Sequence, residues 1–187
     1  RVRPERLKVR RDAHRKYWWQ FGDKRPALYK LIKPLDRVLA NPRVAKYVTF
    51  EFLPNNIVYL NTLHIFPFSD ICHFALLQSN IHTEWALKRT SSVGITRQYT
   101  PVDCFYTFPF PNGIEEGKSS SSLEVAGNQF HDARIKIMLG ESLSLTQLYN
   151  QFHNPKDKTT DIARLRELHV EMDNAVVVAY GWSDLEL

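Results

Sequence analysis

The sequence predicts an α+β fold: a small mixed domain built around a long helix, followed by a C-terminal helical lobe. Three observations predict it. Runs of β-branched and aromatic residues broken by Pro and Asn recur between residues 47 and 66, and apolar residues recur at helical spacing between Ser69 and Lys88. A Gly- and Ser-rich stretch at 112–122 then separates both from three further helical patterns. The domain boundaries predicted on this basis are 1–111, a linker at 112–122, and the lobe at 123–187.

Taken in order, residues 1–20 form a basic lead-in to Tyr17-Trp18-Trp19, whose large rings are expected to pack in a core. Leu28, Leu31, Ile32, Leu35, Val38 and Leu39 fall at helical spacing, with Pro26 suited to a first turn, Pro34 to a break or kink, and Asn41-Pro42 to an end. Tyr47–Leu53, Pro54-Asn55-Asn56 and Ile57–Leu60 predict strand, turn and strand, with Leu63–Phe66 as a third strand. Ser69 or Asp70 caps a helix running to about Lys88, with a stripe of Ile71, Phe74, Leu77 or Gln78, Ile81 and Trp85. His73, Asn80, Thr83 and Glu84 occupy the opposite face. Arg89–Gln98 has no apolar period and predicts an exposed loop. Phe105–Pro111 sets aromatics around two prolines, which forbids helix there. Beyond the linker, helices are predicted at 123–139, 143–152 and 161–180, the last with a stripe from Ile162 to Ala179 and a stop at Gly181.

With 187 residues, 43% apolar and 24% charged, the chain is long enough for one substantial domain or a domain plus a lobe. Cys72 and Cys104 sit far apart in apolar contexts and suggest no disulfide framework. No run approaches the roughly 18 apolar residues of a membrane span, and no signal peptide is visible, so a cytoplasmic protein with no membrane partner is expected. The chain begins Arg1-Val2-Arg3 without a methionine, as a piece of a longer protein would. Its net charge of +5 is unevenly spread: residues 1–50 carry 15 Lys/Arg against 4 Asp/Glu, and the remainder 10 against 16. Clustered cations beside aromatics are the footprint of a phosphate-facing surface, although a solvated basic face has the same composition.

Gly94–Pro111 reads GITRQYTPVDCFYTFPFP, and a helical segment with Leu76-Leu77-Gln78-Ser79, Ile81-His82 and Trp85 precedes it. An LLQS-IH-W helix leading through a variable loop to Y-(S/T)-P-x-D-x-F-x-TFPFP resembles the target-recognition domain of MmeI-like restriction-modification enzymes and related adenine-specific DNA methyltransferases. Trp18-Trp19, Arg25-Pro26, Asp36-Arg37, Leu145-Thr146, Tyr149-Asn150, Met172-Asp173 and Tyr180-Gly181-Trp182 extend the similarity over nearly the whole chain. The resemblance implies a DNA-recognition module working with an upstream methyltransferase domain of the same chain. That domain would transfer a methyl group from S-adenosylmethionine to adenine N6, in a chain with or without a nuclease domain. It also implies that the variable loop sets which bases are accepted.

The catalytic motifs of such an enzyme do not occur in this stretch. Asn41-Pro42-Arg43 and Asn154-Pro155-Lys156 lack the second proline and the aromatic of an adenine-binding N-P-P-(Y/F) segment. Asp103 and Glu51 have no carboxylate cluster around them for a metal nuclease. The spacing of His64, Cys72, His73, His82 and Cys104 fits no common zinc pattern. Ser79, His82 and Glu84 on one helix do not converge as a triad. DNA reading by duplex contacts is left, without a cofactor in this fragment. Arg pairs bidentately with guanine and Gln with adenine, so Arg97 and Gln98 are the first candidates for base contacts, with Thr96, Ser91 and Ser92 next. Arg97 has the alternatives of a phosphate or a neighbouring carboxylate. Phosphate contacts are expected from Arg10, Arg11, Lys16, Arg25, Arg43, Lys88 and Arg89. A second reading is a protein-interaction scaffold whose basic end is incidental.

Overall fold

The structure, a computed structural model, describes residues 1–20, 22, 24–93, 96–114 and 120–182. It divides into two compact units, 1–34 and 35–187. The first holds three short helices, α1 (Val2–Leu7), α2 (Asp12–Lys16) and α3 (Pro26–Ile32). Such short helices present little apolar surface, and Ile32 is the one buried hydrophobic residue described in this unit. The tryptophans predicted as core are therefore not buried. Trp19 is 62% exposed and meets Tyr17 and Trp18 edge-on.

The helix predicted through Leu39 stops at Ile32, two residues before Pro34, whose ring and missing N–H oppose further turns. Beyond it β1 (Arg37–Pro42) is the centre of an antiparallel sheet, flanked by β3 (Glu51–Pro54) and β4 (Leu63–Phe66). Val38, Leu39, Ala40 and Asn41 are all buried, so this strand shows an unbroken run that periodicity cannot separate from a helix. β4 forms where predicted. Ile57–Leu60 does not form a strand: Ile57, Val58 and Leu60 are exposed, and Tyr59 turns inward to donate to the Pro54 carbonyl. The short β2 (Val44–Ala45) belongs to a second sheet, with β5 (Ser91–Val93) and β6 (Thr96–Gln98).

The long helix predicted from Asp70 to Lys88 is two helices, α4 (Ile71–Gln78) and α5 (Asn80–Leu87). Asp70 caps the first, accepting from the His73 N–H at 3.0 Å. Ser79 breaks the run in extended conformation: its Oγ donates to the Leu76 carbonyl at 2.7 Å and accepts from the His82 N–H at 3.2 Å. One serine thus closes one helix and opens the next. Every residue of α4 is buried, so it has no polar face. His73, predicted on that face, stacks on Phe68 at 3.9 Å and pairs with Asp70 at 2.7 Å.

After α6 (Pro101–Cys104), Phe105–Pro111 is free of helix as its prolines require, and Phe105, Phe108 and Phe110 pack on the core. Of the linker stretch, residues 115–119 lie outside the described residues, while Ile114 is buried. The three C-terminal helices are α7 (Ser121–Gly140), α8 (Leu145–Phe152) and α9 (Thr160–Ala179). Ser144 and Gln147 form a reciprocal capping box at the start of α8. The α9 stripe of Ile162, Leu165, Leu168, Met172 and Val176 is buried in one core that also takes in Leu39 of β1 and all the large apolar side chains of α4. Gly181, at φ +72°, ends α9, with its N–H on Val178 O and the Trp182 N–H on Val177 O.

Gly127 of α7 is where α4 comes closest. A Cβ there would meet Ala75 Cβ at 3.0 Å, Ile71 Cγ1 at 3.1 Å and the Ile71 carbonyl at 3.2 Å. Alanine would gain about 1 kcal/mol of helix propensity, but α4 is enclosed and overpacking costs about 1–3 kcal/mol. We expect Gly127→Ala to lower stability by about 1 kcal/mol net, and thermal unfolding checks it; a raised melting temperature would show that α4 yields.

Candidate nucleic-acid interface

The stretch predicted as an exposed loop, 89–98, is largely a hairpin. Gly94 and Ile95 lie outside the described residues. β6 is hydrogen-bonded on both sides: Ser91, Ser92 and Val93 stand opposite Gln98, Arg97 and Thr96, and Val44 and Ala45 of β2 stand opposite Gln98 and Arg97. The Tyr99 N–H continues the ladder to the Arg43 carbonyl at 3.0 Å. Short polar strands of this kind carry no apolar alternation, and β2 supplies the partner that sequence spacing does not reveal. The structure therefore brings all five candidate base readers onto one hairpin. It also divides them, because successive strand residues point to opposite faces: Thr96 and Gln98 share one, and Arg97 takes the other.

What fixes the hairpin to the domain is the pair of motifs noted in the sequence. Tyr99, at the end of β6, is 2% exposed, and its hydroxyl donates to His82 Nε2 at 3.2 Å. His82 Nδ1 donates to the Leu77 carbonyl at 2.8 Å, which leaves Nε2 as the acceptor. Phe50 and Phe108 close on the same imidazole edge-on at 5.5 and 4.7 Å, and Trp85 meets Phe108. Burial pushes His82 down to about 4 and holds it neutral, and burial raises the Tyr99 hydroxyl well above its ordinary value. The LLQS-IH-W and Y-T-P-to-TFPFP pieces are one structural cassette that anchors β6.

Cations surround this sheet. Exposed Arg43 precedes β2 and Lys46 follows it, while exposed Lys88 and Arg89 lie between α5 and β5. The Arg89 guanidinium lies 3.3 Å from the centre of the Trp85 ring. Lys46, missed in the sequence although it sits in the basic first 50 residues, donates to Asn150 Oδ1 on α8 at 2.7 Å. The Tyr47 hydroxyl donates to the same oxygen at 3.0 Å, and its ring stacks on His153 at 4.7 Å. The chain just after β2 is thereby clipped to α8. Of the remaining phosphate candidates, Arg10, Arg11 and Lys16 are exposed on the first unit. Arg25 is half-buried there in left-handed conformation, φ +43°, at the start of α3. Among the described residues no group of three or more His, Cys, Asp or Glu could hold a metal, and no helix is long and apolar enough to cross a membrane.

Comparisons with known proteins agree on one family. No curated protein matches the chain. A solved structure of the type IIL restriction-modification enzyme MmeI in complex with DNA has the same fold, with TM-score 0.70 and 19% identity, covering 100% of this chain and 23% of that one. The chain thus spans under a quarter of that enzyme's length. The model of the MmeI target recognition domain matches residues 1–112, from the basic lead-in to just past the TFPFP run. With more than half of its residues under that model, the chain belongs to the MmeI target recognition domain family.

Proposed function

We propose that this chain reads the sequence of duplex DNA as the recognition module of a bacterial, cytoplasmic restriction-modification DNA methyltransferase. The family match over residues 1–112 carries this reading. An upstream domain of the same protein would hold S-adenosylmethionine and methylate adenine N6, and this stretch would orient the duplex for it. A strand offers one face to a groove, so base contacts fall to the face of Thr96 and Gln98, with Ser91 opposite Gln98 on the neighbouring strand, while Ser92 stands opposite Arg97. Arg43, Lys88 and Arg89 around the sheet, and Arg10, Arg11, Lys16 and Arg25 on the first unit, take phosphates. The proposed organisation is a recognition part through residue 111, a linker, and a helical lobe whose α8 braces β2.

Selection from a randomised duplex pool at two salt concentrations tests this. The wild type is expected to enrich a short motif, and Gln98→Ala to relax it at one position, by about 1–3 kcal/mol of discrimination. Log affinity should fall linearly with log salt, by about 0.9 per phosphate neutralised. Salt-insensitive or absent binding would reject the reading and favour a protein-interaction scaffold.

A further inference from the structure

Arg97 turns away from Thr96 and Gln98 into the wall of a pocket of about 180 Å³, which it lines together with Lys46, Tyr47, Thr83 and His153. Among the described residues the lining includes no Asp or Glu. The carboxylate behind it, Asp173, is already engaged: His169 Nδ1 lies 3.2 Å from it, and the Asn80 backbone and side-chain amides each donate to it at 2.8 Å. Lys46 is held by a neutral amide oxygen, that of Asn150, and makes no ion pair among the described residues. Among the described residues, Arg97 makes no ion pair.

His153 belongs to the same wall. Its ring stacks on Tyr47, and it is held below the ordinary histidine value by burial and then by His169, Lys46 and Arg166. Tyr149, which also lines the wall beside His169, is kept in its neutral phenol form by burial. Two cations, a hydroxyl and an imidazole around a recess free of carboxylates make a receptor for an oxyanion.

We propose that this pocket binds a phosphate group, with Arg97 and Lys46 supplying the charge and Thr83 and His153 hydrogen bonds. The phosphate comes either from the DNA backbone, an assignment that rests on the recognition reading above, or from a free phosphate-bearing molecule. Arg97 then neutralises phosphate and does not select a base.

Histidine ring NMR on the full chain, titrated with inorganic phosphate at constant ionic strength against chloride, tests the pocket. Phosphate is expected to raise the His153 titration midpoint. Arg97→Ala and Lys46→Ala should each weaken phosphate binding about tenfold, and Arg97→Lys should restore part of it. Duplex DNA is the second arm. If the backbone is the source, DNA produces the same His153 shift, and Arg97→Ala weakens all sequences alike, reducing the salt slope by about one. A His153 response to phosphate alone supports the pocket with a free ligand. If the wild type binds no DNA while that response persists, the recognition reading fails and the pocket stands. A His153 midpoint unmoved by phosphate, or moved equally in the variants, overturns the pocket, and relaxation at one base position by Arg97→Ala overturns the assignment of Arg97.

Discussion

Replacing Arg134 by methionine is expected to destabilise the fold by about 3–5 kcal/mol, the cost of breaking a buried ion pair from one side. Arg134 projects from α7 and is fully buried, with Nη2 donating to Glu51 Oε2 at 2.8 Å and Nη1 reaching Gln78 Oε1 at 3.3 Å and Tyr149 at 3.4 Å. Its guanidinium also lies over the Phe74 ring at 4.8 Å. Burial works to raise the Glu51 carboxyl, but the hydrogen bond from His131 and the charge of Arg134 outweigh it and hold the group below its ordinary value. Gln78 Oε1 in turn accepts from the Phe50 N–H at 2.9 Å. One side chain therefore ties α7 to β3, α4 and α8, and without it Glu51 keeps His131 and the Phe52 N–H. Arg134→Met, Glu51→Leu and the double variant, unfolded in urea, give the coupling directly. A double variant more stable than the sum of the single losses by about 2 kcal/mol or more is expected. Additive effects would show that each side chain acts alone.

That network also marks how far the fold was legible from residues alone. Glu51 stands without companions in the sequence, because its partners lie some eighty residues away on α7. Local signals read well where local physics decides: the Asp70 cap, the Gly181 stop, β4 and the α9 stripe all stand where spacing and capping put them. They read badly where tertiary burial overrides periodicity. β1 is covered on both faces, and Leu35, Val38 and Leu39 imitate a helix. α4 is enclosed all round, so the polar face assigned to His73 does not exist, and the break at Ser79 lies inside an uninterrupted apolar pattern. The hairpin of β5 and β6 was found as a place but not as a structure, since strands of three residues reading SSV and TRQ carry no period. Its division into two faces, with Arg97 on the pocket side, follows only from the ladder with β2.

Acidification from about pH 7 to about pH 4 is expected to lower stability by on the order of 3 kcal/mol through His82 alone. Burial pushes the ring down to about 4 in the fold, against an ordinary value of 6.5. Between those values the unfolded chain takes up a proton that the folded chain does not. Stability from this group is thus complete above the unfolded value, falls with pH by up to about 1.4 kcal/mol per unit, and is fully lost once pH passes below the folded value. A proton on Nε2 would also take away the acceptor of the Tyr99 hydroxyl, so the strain reaches β6 and the Thr96–Gln98 face. Urea unfolding across this window, wild type against His82→Gln, isolates the effect. The variant keeps Glu51, Asp70 and His153 and their own pH dependence, starts less stable near neutrality, and should show a flatter profile. Hydrogen exchange at the Tyr99 N–H, which bonds to Arg43, should quicken in acid in the wild type. Parallel profiles for the two proteins would mean that His82 stays neutral in the unfolded chain as well, or is protonated within the fold without cost, and the cassette would then hold the hairpin by packing alone.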